Sequence, residues 1–384
     1  MPRISPFDGL VFDPAVVGPL ASVTAPPYDV IGETERRAFL AASPYSVVHL
    51  DLSEGSGGRD RYERAAQLLR TWREDGALVG RGTPATFAYE MRFRLEARER
   101  RIRGLVCALE LEDWGGGVLP HERTMEGPVE DRLRLLRATR ANLSAVYGTV
   151  AGPVPALASL LDRASAEPPL GEVVDEEGVT HRIWAAAPDA DVEAQLADEP
   201  MLIADGHHRY TTALRYRDER RAVDGPGPWD AVLALVVDTA SEAPPVLPFH
   251  RVLERAPAPL DGIRVRDLQE LLGELDDTDV TVGIVTREGG ALRHTVATLP
   301  APPPAVAALH DLVLGPSTDG LRFMHDAVEA ESAVRSGSAA AAFLLPPTST
   351  ERIREVVARG DRLPQKATFF WPKPRTGMVL RTLE

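Results

Sequence analysis

The sequence predicts an α/β fold, with a mixed α+β arrangement as its variant, on three observations. Helical and strand-like apolar patterns intermix along the whole chain. The run "AVLALVVDT" at 231–239 is apolar throughout, as a strand buried on both faces requires. At 201–204 "MLIA" passes through Asp-Gly into a helical pattern over 207–220, a strand–turn–helix junction. The 384 residues are 44% apolar and 26% charged. That is ordinary globular composition, long enough for two or three packed units. No internal repeat is visible. Three regions are expected: an N-terminal α/β region over 1–150, a second over 151–250 carrying the strand–turn–helix junction, and a C-terminal α+β region over 251–384.

In chain order, the first forty residues ("SPFDGL", "DPAVVGPL", "TAPPYDVIG") are rich in proline and read as an ordered loop rather than a helix. "SVVHLDL" (46–52) reads as a strand. Residues 59–74 set Tyr62, Ala65, Ala66, Leu69 and Trp72 on one helical face. Apolar and charged residues alternate over 85–95 and 101–112, with "EARERR" as a solvated hairpin tip. "GGGVLPHERTMEGP" reads as an irregular loop, and a helix over 128–140 carries Leu133 and Leu136 on one side. "ALASLLDR" and "ADVEAQLA" read as short helices around a strand, "GVTHRIWAA". Beyond 250, "VRDLQELLGEL" reads as a helix with Val265, Leu268, Leu271 and Leu272 inward. "TVGIVTREGGALRHTVATL" is a Gly-Gly hairpin. A strand, "AAAAFLLP", precedes a helix with Thr348 and Glu351 at capping-box spacing and Gly360 at its end.

The formal charge of −14 opposes nucleic-acid binding, because phosphate backbones would be repelled overall. The single cysteine, Cys107, excludes an intramolecular disulfide and a multi-cysteine metal cage, and its apolar surroundings make it core filler. No stretch resembles a signal peptide, and no run reaches the ~18–20 apolar residues of a membrane span. A cytoplasmic protein without a membrane partner is expected.

"ADGHHRYTTA" holds the strongest signal for chemistry. A helix that starts directly after Asp-Gly leaves its first N–H groups without intrahelical partners, and the helix dipole favours an anion there. Gly206 allows a tight turn and a close approach. His207, His208 and Arg209 add donors in the first turn, where positive residues oppose the dipole and local stability would not select them. The alternatives are a helix capped by Asp205 with surface histidines, and a metal site. Adjacent helical residues point about 100° apart, so the histidine pair does not chelate, although one could join Asp205 as a metal ligand. Magnesium arriving with a phosphate substrate fits more simply.

Three further stretches are weaker. "LPHERTMEGPVEDRL" displays His121, Glu122 and Arg123 in a loop, where a carboxylate can take a proton; a solvated charged loop is the rival reading. "LPQKATFFWPKPRTGMVL" mixes basic and aromatic residues, and reads as a strand with Lys366 reaching an anion or as a purely structural strand. "TAPPYDVIG" could set Tyr28 or Asp29 at a pocket. No Walker A loop, dinucleotide fingerprint, HExxH or GxSxG elbow is present.

Taken together, "PFDGLVFDP", "APPYDVI", "PHERT", "DRLRLLRATRAN", "IADGHHRYTTAL" and "PQKATFFWPK" resemble the bacterial and archaeal family called domain of unknown function 1015, in the family's order from residue 6 to 379. Thr211 and Thr212 stand where many members have Glu-Thr, and Ala367 where serine is usual. The Asp-Gly-His-x-Arg pattern is also similar to the phosphate-binding motif of ParB/sulfiredoxin-like proteins, a group that includes sulfiredoxins, nucleotide-using partition proteins and kinases of free serine. The resemblance implies a ParB/sulfiredoxin-like core elaborated by N- and C-terminal segments. It implies phosphate contacts from Gly206, His207, His208 and Arg209, with Asp205 as a metal or substrate partner. Glu122 as general base comes from its chemistry and its loop alone.

The resulting expectation is a small-molecule phosphotransferase acting on free L-serine or a similar hydroxy compound. Its co-substrate would be a nucleotide or pyrophosphate with Mg2+; Asp205, His208 and Glu122 would be catalytic, and Lys366 would assist at phosphate. The rivals are a phosphate- or nucleotide-binding regulator without chemistry and a metal-dependent phosphoester hydrolase. A DNA-partition role is opposed by the acidic balance.

Overall fold

The computed structural model describes residues 2–54, 60–95, 97–255, 257–258 and 260–384. Arg59, at the start of one predicted helix, and Glu96, in the predicted hairpin tip, lie outside the described residues. The class is α/β, as the intermixed patterns predict. The chain divides into two compact units: Met1–Pro120, Thr124–Pro244 and Pro372–Glu384 form the first, and His121–Arg123 with Pro245–Trp371 form the second. The boundary expected at 150 falls inside the first unit. The reason is strand pairing: Val146–Val150 lies between Met201–Asp205 and Ala231–Asp238 in one sheet, so 1–150 cannot close alone.

The first unit is built on a mixed sheet. Its strands run in the order Val118–Pro120, Met201–Asp205, Val146–Val150, Ala231–Asp238, Arg98–Glu110, Thr86–Leu95, Thr180–Ala186 and Gly171–Val174, and Ile4–Ser5 pairs with Arg98–Glu110. Met201–Asp205 is parallel to Val118–Pro120, and Ala231–Asp238 is parallel to Val146–Val150; the other pairs are antiparallel. The apolar run 231–239 forms a central strand, buried from Val232 to Asp238, as its lack of alternation predicts. The helix His207–Asp224 packs on this strand and on Val146–Val150, with Tyr210, Ala213 and Leu214 entering the core. Cys107 is fully buried in the same core, and burial pushes its thiol pKa up, so it is filler rather than a nucleophile. A small sheet orders Leu78–Gly80, Gly9–Phe12, Leu380–Thr382 and Ala141–Asn142. The helix Arg61–Glu74 buries the predicted face of Tyr62, Ala65, Ala66, Leu69 and Trp72.

The second unit holds an antiparallel sheet ordered Ile263–Val265, Ala291–Thr298, Thr281–Glu288, Ala341–Leu344, His250–Leu253 and Leu321–Met324. The Gly-Gly hairpin is present, with φ of +58° and +88° at Gly289 and Gly290, the mirror-turn conformation that two-residue hairpins require. The helix Ala327–Ser336 covers the sheet.

Four expectations are corrected. "SVVHLDL" contains a helical turn, Val48–Asp51, rather than a strand, because a short apolar run buried all round carries no period to separate the two. The opening forty residues include the helix Glu33–Ala42, started where Glu35 accepts the Gly32 N–H at 2.8 Å. Val265 belongs to a strand, so the helix after it begins at Leu268, and Leu272 is exposed. The cap of Thr350–Ala358 is Ser349, which accepts the Arg352 N–H, not Thr348.

His250 makes the second unit sensitive to acid. Its ring is buried, its Nδ1 accepts the Leu345 N–H at 3.1 Å, and burial, helped by the charge of Arg251, pushes its pKa down to about 4. Between pH 6.5 and 4 the unfolded chain binds a proton there that the folded chain refuses, so stability falls as pH falls through that window. The loss approaches about 3 kcal/mol at the acid end. His250→Asn keeps an acceptor for Leu345 but does not titrate. Urea unfolding at pH 7 and pH 4.5 is expected to show a smaller acid loss in the variant; an equal loss in both proteins contradicts the assignment.

Candidate functional site

The site of the first unit grows from one junction. The strand Met201–Asp205 ends at Asp205, Gly206 takes φ +93° and ψ 29°, and the helix starts at His207 without a side-chain cap. The turn favours glycine on two counts. The φ lies in the left-handed region, and an added Cβ would meet the Arg209 guanidinium at 3.0–3.1 Å. Arg209 folds back over this turn, donating to Asp205 Oδ2 and to the Ala145 carbonyl. Asp205 stands just before the helix and Arg209 in its first turn, four residues on, which is why the pair meets.

The other oxygen, Asp205 Oδ1, takes Lys373, whose ammonium also lies 3.3 Å from Asp29 Oδ2. The lysine side chain is only 8% exposed. Burial would lower its pKa, but the carboxylates of Asp205 and Asp29 outweigh burial and raise it, so the ammonium stays charged. Two cations therefore share one strand-end carboxylate beside a helix N-terminus. Tyr147, paired opposite Asp205 in the sheet, has a buried hydroxyl without a hydrogen-bond partner, and burial pushes its pKa up.

A second buried ion cluster lies close enough to the first for the charges of Arg209 and Asp29 to act on it. Arg132 donates to Asp51 Oδ1 at 2.7 Å, to the Asp51 carbonyl at 3.0 Å and to Asp131, and it lies 4.2 Å from the centre of the Tyr28 ring. Burial raises the pKa of Asp51, against the pull of Arg132 and Arg209. Burial likewise raises that of Tyr28, joined by the charge of Asp29.

The paired histidines go different ways, as their 100° separation implies. His207 is buried and stacks on Trp114, with ring centres 6.2 Å apart, and Tyr210 packs on the same indole at 4.4 Å. His208 is half-buried, and its Nε2 accepts the Met125 N–H at 3.0 Å, at the head of the helix Glu126–Thr139.

The remaining sequence candidates belong to the second unit. His121 is buried and bonds the Thr368 hydroxyl at 2.7 Å. Glu122 Oε1 accepts the Lys366 N–H at 2.7 Å, so this carboxylate helps to hold the strand-forming C-terminal segment. Lys366 sets its ammonium 5.3 Å from the Phe249 ring centre. Arg123 is exposed, near the like charge of Arg362. The sequence candidates thus fall into two groups: Asp29, Asp205, Gly206, His207, His208 and Arg209 in the first unit, and His121, Glu122, Arg123 and Lys366 in the second.

Sequence reasoning missed Lys373, Arg132 and Asp51. Lys373 had a signal, since it sits between Pro372 and Pro374, where fixed φ angles hold a charge in place. Arg132 and Asp51 had none, because a charged residue in a helix reads as solvated.

Among the described residues, no group of three or more His, Cys, Asp or Glu is arranged to hold a metal ion, and no helix is long and apolar enough to cross a membrane. Both oxygens of Asp205, the candidate metal ligand, face cationic side chains instead.

The chain belongs to the family described as Protein of unknown function (DUF1015), whose model matches residues 4–309. No curated protein matches it. Among solved structures it is similar to a free serine kinase in complex with AMP, at 12% identity over 70% of this chain and 88% of that chain, with a TM-score of 0.38. It is also similar to a conserved hypothetical protein from Pyrococcus furiosus, at 12% identity over 67% of this chain and 90% of that one, with a TM-score of 0.37.

Proposed function

We propose that the first unit is a phosphotransferase that moves a phosphoryl group from a nucleotide or pyrophosphate to a small hydroxy compound, with free L-serine as the acceptor. The observation that carries this reading is the gathering of Arg209 and Lys373 on Asp205 at an uncapped helix N-terminus, behind a left-handed glycine. A buried lysine between two carboxylates is no better for stability than an apolar cluster, so its presence favours a chemical role. The helix dipole and the donors of the first turn suit phosphate, as in the ParB/sulfiredoxin-like motif that this loop resembles.

In the proposed step the serine Oγ attacks the terminal phosphorus of the donor. The new P–O bond forms as the bond to the leaving group (ADP from ATP, AMP from ADP, phosphate from pyrophosphate) breaks, and the Oγ proton passes to a carboxylate, for which Asp29 is the candidate in this unit. Such transfers need mainly positioning and charge neutralisation. Magnesium would come with the donor, since Asp205 already faces two cations. The reading rests on the first unit alone and asks nothing of Glu122 or Lys366.

The test is to incubate the full chain with Mg2+, L-serine and, separately, ATP, ADP or pyrophosphate, and to look for phosphoserine by mass spectrometry. Phosphoserine with one donor, lost in His208→Ala, is the expected result. Absence of product with all three donors overturns it. Saturable donor binding that is itself lost in His208→Ala would then identify a regulatory binder.

A further inference from the structure

A cavity of about 50 Å³ lies within the first unit, lined by Asp51, Arg132 and Arg209 together with Ser144 and the apolar side chains of Leu136 and Leu143. At roughly 10–15 Å³ for each water centre, the space equals about four waters. That suits a molecule of a few carbon atoms. Its polar groups are unevenly used. Asp51 Oδ1 holds Arg132, but Asp51 Oδ2 is buried and has no hydrogen-bond partner. A buried carboxylate oxygen left in this way is costly, so a donor is due there. Arg209 spends donors on Ala145 and Asp205, and a guanidinium has five N–H groups. The lining thus combines an unpartnered carboxylate oxygen, a guanidinium with N–H groups to spare and apolar side chains.

We infer that this cavity binds a small zwitterion, an amino acid of few carbons, with its ammonium on Asp51 Oδ2 and its carboxylate on Arg209. A lone anion would leave the Asp51 oxygen unpaired, and a lone cation would leave the arginine donors unused. The inference deepens the phosphotransferase reading, on which it rests for its role, because Arg209 belongs both to this cavity and to the proposed phosphate cradle.

Calorimetric titration of the full chain with L-serine, glycine, L-alanine, acetate and ethanolamine, without any phosphoryl donor, tests it. Saturable binding of at least one amino acid is expected, with acetate and ethanolamine at least tenfold weaker. Asp51→Asn keeps an oxygen for Arg132 while removing the charge, and should weaken amino-acid binding at least tenfold. Ser144→Leu fills the cavity without touching the charges and should have the same effect, which keeps the test decisive if Asp51→Asn fails to fold. Absence of saturable binding means that the cavity holds water only and overturns the inference. So does acetate binding as tightly as the amino acids, or affinity unchanged in both variants. If phosphoserine forms with an unchanged serine KM in both variants, the inference fails while the phosphotransferase reading stands. If no donor yields phosphoserine yet amino-acid binding is lost in the variants, the site stands and the catalytic reading falls.

Discussion

Lys373→Met is expected to cost about 3 kcal/mol or more of folding stability, the range found when one partner of a buried ion pair is removed. The wild-type ammonium is enclosed and shared by Asp205 and Asp29, and the substitution keeps the bulk of the stem while removing the charge. Asp205 retains Arg209, but Asp205 Oδ1 is left with no cation in a site from which water is largely shut out. Urea unfolding of the two proteins at one pH checks this, since the midpoint should fall with little change in slope. A difference below about 1 kcal/mol would mean that the lysine behaves as a surface charge.

Gly206→Ala should produce the second large effect, and for two reasons that add. A non-glycine residue at φ +93° costs about 1–3 kcal/mol, and the new methyl would press on the Arg209 guanidinium at 3.0–3.1 Å. Arg209 can yield only by loosening its bonds to Asp205 and to the Ala145 carbonyl. The variant is therefore expected to lose at least about 1–3 kcal/mol of stability and, at temperatures where it remains folded, to bind pyrophosphate at least tenfold more weakly. Stability lost without any change in pyrophosphate affinity would make the turn a structural device only.

Much of the first unit was legible in the sequence because its elements carry clear periods. The helix Arg61–Glu74 shows its buried stripe, and the strand Ala231–Asp238 shows its unbroken apolar run. The junction at Asp205–Gly206 was legible for a different reason: glycine and acid residues at a strand end announce a turn whatever surrounds them. What the sequence hid was long-range pairing. Val48–Asp51 has the composition of a strand, yet it forms a helical turn whose Asp51 bonds Arg132, 81 residues further on. Lys373 lies 168 residues from Asp205, and no local pattern connects them. Glu122 looked like a displayed acid, yet its oxygen is bound to a backbone N–H 244 residues further on. Charged residues in loops are the least readable class, because exposure and burial leave the same local composition.

Phosphate binding at the Asp-Gly-His-His-Arg turn is what the proposed function depends on. Titration calorimetry of pyrophosphate with Mg2+ into the wild-type chain and into His208→Ala tests it most directly. Saturable binding to the wild type is expected, with an affinity at least tenfold lower in the variant, whose fold should be intact because His208 is only half-buried. No saturable binding to the wild type, or equal affinity in both proteins, would contradict it.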